Sequence, residues 1–121
     1  MHSADGIKWH RLKEPALPFW CDTQNQCFYD SRIDKYVAYL RGNNPPRMGK
    51  RRNVRRAETD SLIDLPWPYD ENPARKRGPA GLYGDLIDEL PEVMGPDGLD
   101  PEATDLYTPC VHLYRAQPAS R

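Results

Sequence analysis

Two acidic residues stand at the same point of a recurring pattern: Asp22 opens the run DTQNQCFY, and Asp105 opens its diluted copy DLYTPCVH. Two carboxyl groups placed by a structural repeat can divide their labour, one holding a proton and the other ionised. Beside Asp22 lie Gln24 and Asn25, amides that both donate and accept and therefore suit sugar hydroxyls. Trp20, Tyr29 and Tyr107 supply flat faces on which a ring can stack. The competing reading is structural, since an aspartate at a strand start often binds backbone amides in a turn.

These residues must be held by strands. In Gln24 to Tyr29 the side chains at 24, 26 and 28 face one way and those at 25, 27 and 29 the other, although neither face is cleanly apolar. Tyr36 to Arg41 alternates more clearly and is rich in residues that fit a pleated surface. Asp30 to Lys35 between them reads as a hairpin loop. Asn43-Asn44-Pro45-Pro46 interrupts the chain, and Arg51 to Thr59 reads as a third strand. The stretch that follows, Thr59-Asp60-Ser61 and then Leu62, Leu65 and Trp67, repeats the pattern of Ser3, Asp5, Gly6 and Trp9 near the N-terminus. Trp9 and Trp67 are expected to pack between neighbouring sheets rather than to meet a ligand. Cys27 and Cys110 occupy matching places in the two repeats and are expected to be small buried thiols. Residues 68–104 read as an irregular connection with one short helix at Gly84 to Leu90.

Thirteen prolines and eight glycines favour short strands and irregular segments over packed helices, so the fold class is all-β. An apolar content of 38% against 29% charged is thin for a self-sufficient core. The net charge of -1 hides a segregation, with six basic residues from Arg47 to Arg56 and eight acids without a base from Asp85 to Asp105. Mutual attraction of these two stretches is expected. The basic run lacks interleaved aromatics and carries Val54 and Ala57, which favours a charged strand over a nucleic-acid groove. His2, His10 and His112 show no metal-ligand spacing, three cysteines make no CxxC pair, and no GxSxG elbow occurs. The sequence thus predicts no metal, no cofactor and no nucleic-acid partner. No apolar run approaches the ~20 residues of a membrane span, and the first residues hold no apolar signal core.

The runs DTQNQCFYDSRIDKYVAYLR, RRNVRRAETDSLIDLPWP and DLYTPCVHLY together resemble five-bladed β-propeller proteins related to glycoside hydrolase families 32 and 43. That resemblance implies a partial propeller. Residues 1–13 would be the last strand of a preceding blade, 14–67 a complete four-stranded antiparallel blade, 68–104 an insertion, and 105–121 the truncated start of the next blade. Asp22 and Asp105 would each begin an innermost strand at the axis, where the family's active site lies. The resemblance implies that Asp22 stands where a transition-state-stabilising aspartate is expected, and that Asp105 stands where the family's acid, a glutamate, is expected. One arginine, Arg55 or Arg56, would point inward to pair with an axial carboxylate. Gln24, Asn25, Arg55 and Tyr107 would contact carbohydrate. The first-blade carboxylate of such enzymes is missing, so the implied parent protein hydrolyses or binds carbohydrate, and this chain is expected to be inactive as a catalyst by itself. Unpaired sheet edges would favour association. The alternative, from a different class, is a non-catalytic β-sheet module that binds a protein.

Overall fold

The computed structural model describes residues 1–19, 21, 23–44, 51–69, 76, 78, 82, 90–102 and 104–114. Four strands form one open antiparallel sheet in the order β1-β2-β3-β4: β1 is Gln26–Asp30, β2 Lys35–Asn44, β3 Arg51–Thr59 and β4 Glu92–Met94. No helix occurs among the described residues. The all-β expectation therefore holds, and the helix read at Gly84 to Leu90 lies outside the described residues except for Leu90.

β2 forms where the alternation was strongest, and β3 where the basic run carries Val54 and Ala57. β2 and β3 pair from Tyr36 opposite Thr59 to Asn44 opposite Arg51, so β2 runs through the asparagines expected to break it. β1 pairs with β2 from Gln26 opposite Tyr39 to Asp30 opposite Lys35, leaving a four-residue loop at Ser31 to Asp34. Ile33 N–H donates to the Asp30 carbonyl at 3.2 Å, and Asp34 takes a positive φ of 57°, a conformation aspartate tolerates better than most residues.

The fourth strand corrects the sequence reading. The stretch 14–67 supplies three strands, and β4 comes from the segment read as an irregular insertion. Its pairing is short, Val54 opposite Met94 and Arg55 opposite Glu92 across an irregular register, and Arg56 N–H extends it by donating to the Pro91 carbonyl at 3.0 Å. Three exposed residues, Glu-Val-Met, carry no period that marks a strand. They pair because β3 presents a free edge whose backbone groups need partners.

One face of the sheet carries the core. Ala38 and Leu40 from β2 and Ala57 from β3 pack with Phe19, Trp67 and Leu90. The Trp67 N–H anchors this layer by donating to the Ala16 carbonyl at 2.7 Å, so the chain after β3 folds back on the connector that precedes β1. Burial of each large side chain contributes about 1.5–3 kcal/mol. The expectation for Trp67 is met, but Trp9 is not packed: its indole is 59% exposed. The thiols of Cys27 and Cys110 are likewise exposed rather than buried. Cys27 lies on an edge strand opposite Ala38, where it borders a cleft, and Cys110 lies in no strand.

Candidate functional site

The opposite face of the sheet is where sequence-selected residues meet. By the alternation of β2 and β3, Tyr39, Arg41, Arg52, Val54 and Arg56 share this face. Residues 105–111 run across it and enclose a cleft of about 490 Å³ with Tyr39, Val54 and Met94. The segment holds no strand, contrary to the repeat's suggestion. Pro109 removes a ladder donor in its middle, and its described backbone bonds are few.

Asp105 is tied to the start of β3. Its Oδ1 accepts the Arg52 backbone N–H at 2.7 Å and its Oδ2 pairs with the Arg52 guanidinium, while Leu106 N–H donates to the Arg52 carbonyl at 3.0 Å. The backbone N–H of Arg52, then its guanidinium and the charge of Arg41, hold the Asp105 carboxyl below the usual carboxylate range. An ionised Asp105 accepts hydrogen bonds and opposes the role of proton donor. The same guanidinium lies 4.8 Å from the Tyr107 ring centre, a cation–π contact that orients the exposed ring.

Two further contacts join the repeats. The Thr23 and Thr108 hydroxyls are 3.1 Å apart, and the Val111 N–H donates to Gln26 Oε1. Both pairs are separated by the same 85 residues, so the two repeat segments run side by side in one direction. Asn25 lies at this junction: its Nδ2 donates to the Thr23 carbonyl at 3.0 Å and its Oδ1 accepts the Arg41 N–H at 3.4 Å. Gln24 is exposed beside it. Asp22 and Trp20 lie outside the described residues.

Arg55 goes elsewhere. It falls on the core face, buried, where its Nε donates to Asn53 Oδ1 at 3.2 Å, its Nη1 donates to the Leu90 carbonyl at 3.0 Å, and its Nη2 lies 3.4 Å from Glu92. Asn53 Nδ2 completes the cluster by donating to Glu92 Oε2 at 2.6 Å. The inward arginine thus pairs with the acidic segment. Arg56 pairs with Glu58 at 2.7 Å and lies over the Tyr39 ring.

Arg52 and Glu92 are the organising residues that sequence reasoning missed. The segregation of charge did foretell that the basic and acidic stretches attract, and Arg52–Asp105 and Arg55–Glu92 realise it. No metal-binding group of three or more ligands occurs among the described residues, and no described helix is long and apolar enough to cross a membrane. No family model, curated protein or solved structure matches the chain.

Proposed function

We propose that this sheet is a blade of a β-propeller protein of the glycoside hydrolase family 32 and 43 type, and that it binds carbohydrate at the junction of its two repeats. The observation that carries the reading is the constant 85-residue separation of the Thr23–Thr108 and Gln26–Val111 contacts. Recurring innermost strands of successive blades would run side by side in this way. A second recurrence supports it: Ser3 Oγ accepts the Gly6 N–H at 2.9 Å, Ser61 Oγ accepts the Asp64 N–H at 3.3 Å, and each serine precedes a tryptophan by the same spacing.

In this reading Asp105 and Asn25 accept and donate to hydroxyls, and Tyr107, fixed by Arg52, stacks on a ring. Binding rather than hydrolysis is the role of these residues, because both carboxylate oxygens of Asp105 are already engaged by the Arg52 backbone N–H and guanidinium. Hydrolysis requires two carboxyl groups about 5–9.5 Å apart, one of them kept protonated, and in this reading Asp22 is the transition-state-stabilising aspartate rather than the proton donor.

Glycan-array screening of the whole protein, followed by calorimetry, tests this. Tyr107→Ala is expected to weaken the tightest saccharide about tenfold, the loss of one stacking contact of ~1–1.5 kcal/mol. Absence of saccharide binding by the unmodified protein sinks the carbohydrate reading. The alternative, a protein-binding module, is favoured by the exposed apolar side chains of Val93 and Met94 on the edge strand β4. Retention of a protein partner by a protein that binds no glycan would establish it.

A further inference from the structure

A second cleft, of about 540 Å³, lies between the N-terminal hairpin and the sheet, and Trp9, Glu14, Asn25, Leu62 and Ile63 are among the residues that line it. Its volume falls within the range of small-molecule sites. Trp9 is the distinctive wall. A large exposed aromatic side chain is commonly mobile, but this one is fixed: its Nε1–H donates to the Gly6 carbonyl at 3.2 Å. The turn that carries it is itself tied down. Asp5 Oδ1 accepts the Ile7 and Lys8 N–H groups at 2.9 and 2.8 Å, and His2 and His10 exchange two backbone hydrogen bonds of 2.9 Å. Gly6 permits the bend with a φ of 73°.

The polar side of the cleft is also informative. Asn25 has spent one amide hydrogen on Thr23 and one lone pair on Arg41, and a primary amide retains a second of each. Glu14 adds an exposed carboxylate; among the described residues no lysine or arginine lines the cleft, whereas His2 and the N-terminal residue Met1 do. A rigid aromatic face opposed by an amide and a carboxylate matches a sugar ring, which is apolar on its C–H face and polar at its edge. The Glu14 carboxylate repels an acidic sugar and favours a neutral one.

We propose that this cleft is a second saccharide subsite, in which a neutral sugar unit lays its C–H face on Trp9 and directs hydroxyls to Asn25 and Glu14. The proposal rests on the carbohydrate reading above and extends it from the junction of the repeats to the N-terminal hairpin. Asn25 connects the two places, since it lines this cleft and also accepts the Arg41 N–H. The preorganised indole loses little freedom on binding, which is what lets one ring contribute measurable affinity.

The test titrates the full chain with neutral oligosaccharides of glucose, xylose, arabinose and fructose, and with a galacturonic acid oligosaccharide, while the Trp9 indole N–H resonance and the calorimetric affinity are followed. The tightest neutral sugar is expected to shift that resonance in the unmodified protein. Trp9→Ala should weaken its binding about tenfold, whereas Trp9→Phe, which keeps an aromatic face, should lose about threefold or less. The galacturonic acid oligosaccharide should leave the resonance in place. If a neutral sugar binds the unmodified protein but the Trp9 resonance stays fixed and Trp9→Ala binds equally well, this subsite is overturned while the carbohydrate reading survives. If none of the sugars binds the unmodified protein, both fail together.

Discussion

At the scale of single residues, the carboxyl whose pKa departs furthest from its ordinary value among the described residues is Asp30, buried at the end of β1. Arg32, two residues on and largely exposed, donates to it through Nε at 2.8 Å, Nη2 at 2.6 Å and its backbone N–H at 3.1 Å. The side-chain hydrogen bonds of Arg32 are the main reason the Asp30 carboxyl is lowered from 3.8 to about 2, against the opposing effect of desolvation. A carboxyl whose pKa is lower in the folded chain than in the unfolded one stabilises fully above the unfolded value and loses that contribution as pH falls through the folded value. Thermal melts should therefore show Asp30→Asn less stable than the unmodified protein at neutral pH, with the gap closing between pH 3.8 and about 2. A gap that stays constant across that range would mean the ion pair is not its source. The sequence offered Asp30 only as a hairpin-loop residue, because nothing in the order of residues shows that its carboxylate turns inward. The same holds for Asp105, where an aspartate that binds backbone amides was one of two readings and the bond to the Arg52 N–H makes that use visible.

At the scale of elements, the close approach of β2 to β3 depends on Gly42. A methyl group there would lie 2.5 Å from the Arg55 Cγ and would also collide with the Asn53 side chain, which is fully buried and bonded to both Arg55 and Glu92. Neither can move aside without opening the cluster that joins β3 to β4. Gly42→Ala is expected to destabilise by about 1–3 kcal/mol through overpacking. Gly98→Ala, which meets open space, is the matched control and should leave the urea midpoint nearly unchanged. Equal midpoints for the two variants would show that the cluster yields freely. The strands themselves were legible to different degrees. β2 showed alternation, β3 carried Val54 and Ala57 along its basic run, and the loop between β1 and β2 showed turn chemistry, so these strands could be read from the sequence. β4 could not, since three exposed residues become a strand only when β3 offers its edge. Charge segregation announced that the acidic segment returns to the basic strand, but partner choice depends on where the backbone brings each residue. Arg55 meets the acidic segment at Glu92, and Asp22 lies outside the described residues.

At the scale of the whole molecule, the sheet is covered unevenly. A core of Phe19, Ala38, Leu40, Ala57, Trp67 and Leu90 occupies one face, and among the described residues the irregular segment 105–111 crosses the other. Each outer strand, β1 and β4, has a neighbour on one side alone among the described strands. The two edges differ in their invitation to a partner. β1 ends in the ion-paired Asp30, whereas β4 carries exposed Val93 and Met94 beside the exposed Glu92. A short strand limits the hydrogen bonds an added strand can gain, but apolar side chains on an open edge favour pairing, and natural sheets commonly block such edges with lysine. Association of the purified protein is thus expected to run through β4. Sedimentation velocity over a range of concentrations should show a mass that rises with concentration, and Met94→Lys should move that rise to higher concentration without lowering the melting temperature, because Met94 contributes little to the core. A protein that stays monomeric throughout and melts in one sharp transition would show instead that the thin core suffices and that β4 is an inert edge.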